Sequence, residues 1–516
     1  MTSSPAASSQ DAGLDRGVLL VASCVVLGAI MSILDVTVVN VAINTLARDF
    51  KTSLSTIQWV ATGYTLALAT VIPLTGWAAD RFGTKRLYMI SISLFLAGSM
   101  LSGLAWSAGS LITFRVLQGL GGGMIMPAGM TILTRAAGPQ RVGRVMAIIG
   151  VPMLLGPVIG PILGGWLVED FSWRWIFFIN VPIGIAALTA SFRILPRDVA
   201  AHEHRLDWQG LFMLSPGLAL LIYGLARTNA AGGFGHPEVL VPVLVGIALL
   251  ALFVRHSLRT PHALIDVRLF ANRVFAASSG TLVLAIIAMF GGMLLLPLYL
   301  QAVRGESPMA TGLLLAPQGF GAMIAMPIAG RLTDKTGAGR IVPVGLTLVG
   351  LSFIGLTQLG AHTSYVVFGL LLFVMGLGMG SSMMPTFSAA MQTLRESQIA
   401  KASTTLNINQ QTGASIGTAV LSVLLAHQLT SHLGGAGGSG SGIGAALPPG
   451  VREKLAPAMA AAFGTTFWWA VAFVGVALVV AIIFLPKNKP EPLDPEDGGE
   501  GEGDAAEAAP PPVLVH

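Results

Sequence analysis

Charged residues are scarce in this chain. They make up 10% of the 516 positions, whereas hydrophobic residues make up 53% and the mean hydropathy is +0.76. A soluble protein of this length needs far more polar residues to cover its surface. Apolar runs of about 20 residues, the length that crosses a lipid bilayer, recur along the whole chain. The sequence therefore predicts an all-α polytopic membrane protein.

Cysteine, signal-peptide features and metal ligands are also scarce. The single cysteine, Cys24, excludes an internal disulfide and is expected to be an apolar packing residue. The first 15 residues have no basic residue and no cleavage site, so the first apolar helix is expected to remain as a span. The histidines at 202–205 (HEHR) lack the further ligands that a closed metal site needs. We therefore expect no bound metal.

The apolar runs between charged loops predict fourteen membrane-spanning helices. An alternating topology with the N-terminus in the cytoplasm gives roughly a threefold excess of Lys and Arg on the inside, as the positive-inside rule requires. Both termini are then cytoplasmic, and the basic residues need no nucleic-acid partner to explain them. The predicted spans are 17–43, 55–78, 86–107, 109–134, 143–168, 173–195, 208–227, 237–258, 272–300, 308–332, 340–360, 363–391, 400–427 and 462–486.

The spans predict two six-helix bundles separated by an inserted helix pair. The Pro-, Gly- and acid-rich C-terminus, which includes EPLDPEDGGEGEGDAAE, is expected to be disordered by composition. The predicted division is a disordered N-terminus at 1–16, a first bundle at 17–195, the inserted pair at 207–258, a second bundle at 271–487 and a disordered acidic tail at 488–516. An extracytoplasmic loop at 429–461 falls within the second bundle.

Two cytoplasmic loops repeat one pattern, GWAADRFGTKR from Gly76 and GRLTDKTGAGR from Gly330. The offset between the copies is the same at every shared position. Because both copies lie on the same side of the membrane, the repeat is parallel, an arrangement typical of transporters with a site between two halves. The shared positions are Gly76, Asp80, Gly83 and Arg86 in the first copy and Gly330, Asp334, Gly337 and Arg340 in the second.

These motifs carry a family resemblance. The loop at 76–86 resembles the cytoplasmic signature of the major facilitator superfamily, and LITFRVLQGLGGG at 111–123 resembles its fourth-helix motif. GVPMLLGPVIGPILGGW at 150–166 resembles the fifth-helix motif of antiporters. ILDVTVVNVAI at 33–43 and WRWIFFINVPIG at 173–184 are similar to the fourteen-helix drug:proton antiporters, the EmrB/QacA-like group. Some dication exporters of this group have an additional acid in the tenth helix, whereas SPMATGLLLAPQGFGAMIAMPIAGRL has none.

The resemblance implies roles for the two glycine-rich motifs. Asp80, next to Arg81, would pair with basic residues and a helix end to hold the outward-facing state. The fifth-helix motif would seal the proton leak and help the switch between states, although close helix packing through small residues explains its glycines equally well. Its residues are Gly156, Pro157, Gly160, Gly164 and Gly165.

Two charges, Asp35 and Arg115, fall well inside predicted spans. A charge at that depth costs about 2.5–3.5 kcal/mol on insertion scales, so such residues usually face water or a partner. One hypothesis is a structural ion pair between them. The other is that Asp35 carries the transported proton, that Arg115 tunes it, and that the substrate competes with this proton. Asp35 lies past the centre of 18–43, toward the outside.

The sequence thus favours a proton-coupled antiporter that exports lipophilic compounds, cationic ones in particular, across the cytoplasmic membrane. A proton-driven exporter of a lipid or an endogenous metabolite is the alternative. An enzyme is not expected, because no catalytic cluster is found at a helix end. We expect a functional monomer in the bilayer, powered by the proton-motive force without a cofactor. Polar residues that could line its cavity, or join helices instead, are Tyr64, Gln118, Tyr299, Gln301, Gln318, Asn407 and Gln411.

Overall fold

A computed structural model gives the architecture. It describes residues 15–52, 54–138, 145, 156, 159–160, 163–168, 170–196, 206–231, 233–260, 263–394, 398–433 and 449–487. Within these ranges the regular structure is helical, without β-strands.

The helices before residue 196 form the first half of the molecule. They are α1 (Arg16–Asp49), α2 (Leu54–Ile57), α3 (Trp59–Val71), α4 (Leu74–Phe82), α5 (Thr84–Gly103), α6 (Ala108–Ala137), α7 (Trp175–Phe178) and α8 (Asn180–Ile194). The inserted pair follows as α9 (Trp208–Ala231) and α10 (Pro237–Arg259).

The helices of the second half start after a 3₁₀ turn at Val267–Ala271. They are α11 (Arg273–Leu298), α12 (Pro308–Thr336), α13 (Ala338–Leu356), α14 (Tyr365–Gln392), α15 (Ile399–Leu433) and α16 (Pro449–Phe484). A π-helical turn, Tyr299–Val303, continues α11.

The helix count agrees with the predicted spans wherever the chain is described. Twelve helices in the described ranges are long and apolar enough to cross a membrane, and α3 with α4 makes a thirteenth if the bent pair is one span. The remaining predicted span, 143–168, falls largely outside the described residues. The all-α architecture predicted from hydropathy is thus confirmed.

Three features of the predicted spans were wrong, one bend and two boundaries. The span at 55–78 is not straight, because Pro73 interrupts it and α4 turns by 57° from α3. The first helix continues to Asp49 instead of ending at 43, which puts Asp35 within about one turn of the helix midpoint.

The second wrong boundary is the predicted extracytoplasmic loop at 429–461. Helix α15 continues to Leu433 and α16 begins at Pro449. Hydropathy assigns the charged stretch REKLAPAMAAAF, from Arg452, to a loop. Alanine, leucine, glutamate and lysine are nevertheless good helix formers, and proline suits the first turn of a helix.

The two halves share one core at a single end of the molecule. We call this the motif end, because the repeated loops at Gly83 and Gly337 lie there. Ala79 and Ile132 of the first half belong to the same hydrophobic cluster as Met391 and Ala400 of the second. Each half also has a core of its own, which runs along the whole bundle in the second half and lies toward the opposite, far end in the first. The halves therefore meet at the motif end.

The inserted pair is a close-packed hairpin that bridges the halves. Gly246 of α10 lies so close to α9 that a Cβ there would be 2.8 Å from the carbonyl oxygen of Gly217, the small-residue packing usual between membrane helices. Helix α9 also packs against α3 of the first half and α15 of the second. At the motif end, Asp207 accepts a hydrogen bond from the backbone N–H of Leu264 and contacts His256 Nε2 at 2.9 Å.

Candidate functional site

Asp35 and Arg115 form a buried ion pair inside the first half. The Asp35 Oδ2 atom of α1 lies 2.5 Å from Arg115 NH1 of α6, and each residue is about 1% exposed. The pair is electrically neutral as a unit, which lowers the cost of holding two charges inside the protein. Neither residue reaches the surface in this conformation. The predicted competition between substrate and proton at Asp35 stays a prediction.

Two amide side chains complete the coordination of the carboxylate. Gln118 Nε2 donates to Asp35 Oδ1 at 2.8 Å, and Asn180 Nδ2 donates to the same oxygen at 3.3 Å. Asn180 also donates to Ser99 Oγ at 3.0 Å, and the Ser99 hydroxyl donates to the carbonyl oxygen of Phe177. A carboxylate that accepts from one guanidinium and two amides is well matched in its ionised form.

Arg115 is held by groups of α3, α6 and α7 as well as by Asp35. Its NH1 donates to Gln118 Oε1 at 2.8 Å, and its Nε donates to the carbonyl oxygen of Val60 at 3.3 Å. The guanidinium carbon lies 4.1 Å from the ring centroid of Tyr64 and 5.7 Å from that of Phe177, both within cation–π range. Four packed helices and the short α7 therefore converge on one charge pair.

Asn180 and Ser99 are site residues that sequence reasoning missed. Asn180 lies in the WRWIFFINVPIG segment, which supported the family resemblance, yet no role was expected for it. A single amide in an apolar span is a usable signal, because amides in membrane helices generally pair across a helix contact. Ser99 carries no comparable signal, since its hydroxyl could equally well have bonded within its own helix.

The proposed cavity residues separate into two groups. Tyr64 and Gln118 belong to the Asp35 network. Tyr299 packs in the second half: it is 1% exposed, its hydroxyl donates to the carbonyl oxygen of Gly360 at 2.8 Å, and its ring stacks on Phe368. The expectation that Tyr299 lines a cavity is therefore replaced by a packing role.

The other amides among the proposed cavity residues lie on α12, α15 and the π turn. Gln318 Nε2 lies 3.0 Å from the sulfur of Met379, and Asn407 Nδ2 donates to the carbonyl oxygen of Ser403 in its own helix. Gln411 is half-buried, and Gln301 is exposed. Gln318 and Asn407 thus make helix contacts, and their place in a cavity stays a prediction.

The two repeated loops have the same backbone conformation. Gly83 has φ 83° and ψ 148°, and Gly337 has φ 87° and ψ 150°, a region that only glycine adopts readily. Each glycine ends one helix and begins the next. Among the other motif residues, Gly330 and Asp334 are buried and Asp80 is half-buried, whereas Arg81, Arg86 and Arg340 are exposed.

Each loop also ties its helix to the last helix of its own half. In the first half, Lys85 Nζ donates to the carbonyl oxygens of Phe192 and Leu195, at 2.9 and 2.5 Å. In the second half, the backbone N–H of Gly339, at the equivalent position, donates to the carbonyl oxygen of Pro486 at 3.0 Å. The repeat therefore extends from the loop sequence to its anchoring contact.

The first loop also lies against the second half. A Cβ on Gly76 would be 3.7 Å from the Cα of Lys401 and 3.5 Å from Thr404 Oγ1, both on α15. Nearby, Ser403 Oγ donates to the carbonyl oxygen of Pro127 on α6 at 3.2 Å. These contacts hold the halves together at the motif end.

The described glycines of the fifth-helix motif lie against α1 on both sides of Asp35. A Cβ on Gly156 would collide with Ile33, and one on Gly160 would collide with Thr37. A Cβ on Gly164 would lie 3.1 Å from Val38 Cγ1, whereas one on Gly165 would meet nothing within 4 Å. Pro157 lies outside the described residues. This contact places the motif next to the segment that carries the buried acid.

Fold, repeated loops and a charge pair buried in a span together define a membrane transporter with two related halves. The sequence model of the Major Facilitator Superfamily matches residues 25–418, and the chain belongs to that family.

Similar proteins agree with this assignment. The chain is 46% identical over 496 residues to a multidrug resistance protein B homolog of Mycobacterium tuberculosis, covering 92% of this chain and 91% of that protein. It is 31% identical over 412 residues to the multidrug export protein EmrB of Escherichia coli K12, covering 79% and 80%. Among solved structures, the human organic anion transporter MFSD10 shares the fold, with a TM-score of 0.58 and 15% identity over 89% of this chain and 100% of that one.

Proposed function

We propose that this protein is a proton-coupled exporter of lipophilic compounds, cationic ones in particular, which works by alternating access in the cytoplasmic membrane. The observation that carries the proposal is the Asp35–Arg115 pair, a titratable acid buried in a membrane span with the contacts that an ionised carboxylate needs. Two multidrug proteins among the relatives support export of drug-like substrates over the alternative, a lipid or metabolite exporter.

Orientation follows from the distribution of basic residues. If the motif end is cytoplasmic, as the positive-inside rule indicates, the conformation with the halves joined at that end is outward-facing. Both termini then lie in the cytoplasm. Asp80, Asp334 and the contact of Gly76 with α15 would act as the latch of this state.

Coupling would act through the network rather than by direct competition at the carboxylate. Protonation of Asp35 removes its negative charge and leaves the Arg115 guanidinium buried without a counter-charge, a situation that costs about 3–5 kcal/mol in proteins. One proton that moves down 100 mV supplies about 2.3 kcal/mol. These energies are of the same order, so protonation is able to bias the protein toward a state in which Arg115 meets water.

Each participating group then has a defined part. The ionised pair stabilises the arrangement of α1, α3, α6 and α8 described above. Entry of a proton loosens α1 from α6, and the glycine contact between α1 and Gly160 allows α1 to shift without a side chain in the way. No cofactor takes part in these steps. A single polypeptide in the bilayer, a small substrate and protons are sufficient.

Transport into proteoliposomes tests the proposal. Ethidium and tetraphenylphosphonium are permanent cations, so a pH gradient alone does not concentrate them. With an acidic interior and no membrane potential, we expect both probes to accumulate in vesicles that contain the protein, and nigericin to abolish the accumulation. If neither probe accumulates under the pH gradient, the proposed function is wrong. A susceptibility panel of dyes, neutral antibiotics and detergents, in cells with and without the gene, then defines the substrate range.

A further inference from the structure

A pocket lies where the inserted helix α9 bridges the two halves. Its volume is about 180 Å³, comparable with cavities of about 150 Å³ that hold one benzene ring. It is open on one side, so a larger molecule could leave part of itself outside. Its walls come from α3, α9 and α15 and include Ala61, Thr65, Tyr223, Ala226, Ser415 and Thr418.

The lining combines apolar surface with hydroxyl groups, and no charged side chain is among the described residues that line it. Thr65 Oγ1 donates its proton to the carbonyl oxygen of Ala61 at 3.0 Å. Ser415 and Thr418 donate theirs to the carbonyl oxygens of Gln411 and Ala414, both at 3.0 Å. Because these three protons are used within the helices, the oxygens of Thr65, Ser415 and Thr418 offer lone pairs to a ligand that donates.

One wall of the pocket is aromatic. The ring of Tyr223 on α9 stacks with Trp59 on α3, with centroids 5.9 Å apart and planes 28° from parallel. A flat aromatic ligand can extend such a stack, which contributes about 0.5–1.5 kcal/mol beyond burial of its area.

The pocket is also adjacent to the Asp35 network. Val60 and Tyr64, on one face of α3, contact Arg115. Ala61 and Thr65, on the next face of the same helix, line the pocket. A ligand in the pocket therefore touches the helix that holds the guanidinium.

We propose that this pocket binds the exported compound as a subsite distinct from the Asp35 centre, and that it selects aromatic molecules with N–H or O–H donors. The proposal rests on the proposed export function. The inserted helix pair thereby gains a role, because α9 supplies the aromatic wall and closes the gap between α3 and α15.

Equilibrium binding to the purified protein tests the subsite. Ethidium has two aromatic amino groups, whereas tetraphenylphosphonium is a lipophilic cation of equal charge without a donor. Thr65→Val keeps the side-chain shape and removes the acceptor, and the loss of one hydrogen bond is expected to raise the ethidium Kd about three- to tenfold. The tetraphenylphosphonium Kd should not change. Thr418→Val should act in the same way if Thr65→Val does not fold.

The chain offers matched controls. Thr70, on the same helix as Thr65, also donates to the carbonyl oxygen four residues back but is exposed outside the pocket. Thr430 has the same relation to Thr418 on α15. Thr70→Val and Thr430→Val should leave the ethidium Kd unchanged. Ala226→Phe, at an exposed position of the lining, should weaken ethidium binding.

The outcomes separate this subsite from the proposed function. If wild type transports ethidium but the pocket variants bind it as wild type does, the subsite is wrong and the export function stands. An equal rise of the ethidium Kd in Thr65→Val and Thr70→Val would also overturn the subsite. If wild type transports neither ethidium nor tetraphenylphosphonium, the export function itself is overturned.

Discussion

At the scale of single residues, the central feature is a carboxylate that is fully coordinated and closed off. Asp35 contacts Arg115, Gln118 and Asn180, which come from two other helices of the same half. A change in the charge of this carboxylate therefore alters the contacts between α1, α6 and α8 together. In the proposed mechanism protonation of this one group moves helices, since packed interfaces switch between discrete arrangements rather than deform continuously.

Removal of the Asn180 amide tests the hydrogen bonds to Asp35 while the Asp35–Arg115 pair stays in place. Asn180→Leu deletes a donor to the buried carboxylate, and hydrogen bonds to charged groups contribute about 1.5–3 kcal/mol. We expect the free energy of unfolding to fall by about that amount, together with slower transport. Thermal unfolding in detergent measures it, with Thr189→Val as control, because Thr189 is exposed on the same helix. An unchanged Tm for Asn180→Leu would contradict the geometry.

Some of this site could be read from the sequence. Asp35 and Arg115 were identified because charges inside apolar spans are expensive, and that reasoning needs no structure. Ser99 was missed because a hydroxyl in a span carries no distinguishing signal, and Asn180 was missed because an amide in a span indicates a helix contact without naming the partner. Only their distance from Asp35 shows that they belong to the site.

At the scale of helices, the fit of the fifth-helix glycines against α1 is the critical contact. A Cβ on Gly160 would collide with Thr37, two residues from Asp35. Any larger side chain there must displace α1, because membrane helices approach this closely only where residues are small.

Gly160→Val should therefore lower the rate of transport at least about tenfold, while Gly165→Val should transport as wild type does. The residues are five apart in the same motif, and a Cβ on Gly165 meets nothing within 4 Å. Gradient-driven ethidium uptake, normalised to the amount of inserted protein, is the measurement. Equal activity of the two variants would exclude a specific role for the contact with α1.

Helix boundaries show where hydropathy succeeds and where it fails. It located the apolar part of each described span, since the bilayer requires apolar side chains there. It missed the bend at Pro73, which a local backbone effect causes, and the start of α16, where Arg452, Glu453 and Lys454 extend a helix beyond its apolar part. The bridging position of α9 could not be predicted, because it depends on contacts between distant segments.

At the scale of the whole molecule, the halves are joined at the motif end and have separate cores toward the far end. The proposed alternating access requires that this joined end opens. The contact of Gly76 with Lys401 and the hydrogen bond from Ser403 to Pro127 must then break.

A disulfide across the motif end should stop the cycle. In a Cys24→Ala background, which removes the single native cysteine, Gly76→Cys and Lys401→Cys are close enough to pair, since a Cβ on Gly76 lies 3.7 Å from the Cα of Lys401. Oxidation should reduce ethidium uptake at least about tenfold, and a reductant should restore it. The uptake of each single cysteine variant should not change on oxidation. A disulfide that forms and leaves uptake intact would show that this end does not open.

The central claim is that Asp35 carries the proton that drives export. The most direct test is substrate-induced proton release from purified protein in weakly buffered solution, with wild type compared with Asp35→Asn. Asp35→Asn should still insert, because loss of a charge lowers the insertion cost, but its fold should be less stable, because Arg115 then lacks its counter-charge. Release is therefore compared at equal amounts of folded protein. We predict that ethidium releases protons from wild type and none from Asp35→Asn, while Asp35→Glu retains part of the release. Undiminished release from Asp35→Asn would contradict the account and leave Asp35 as a structural partner of Arg115.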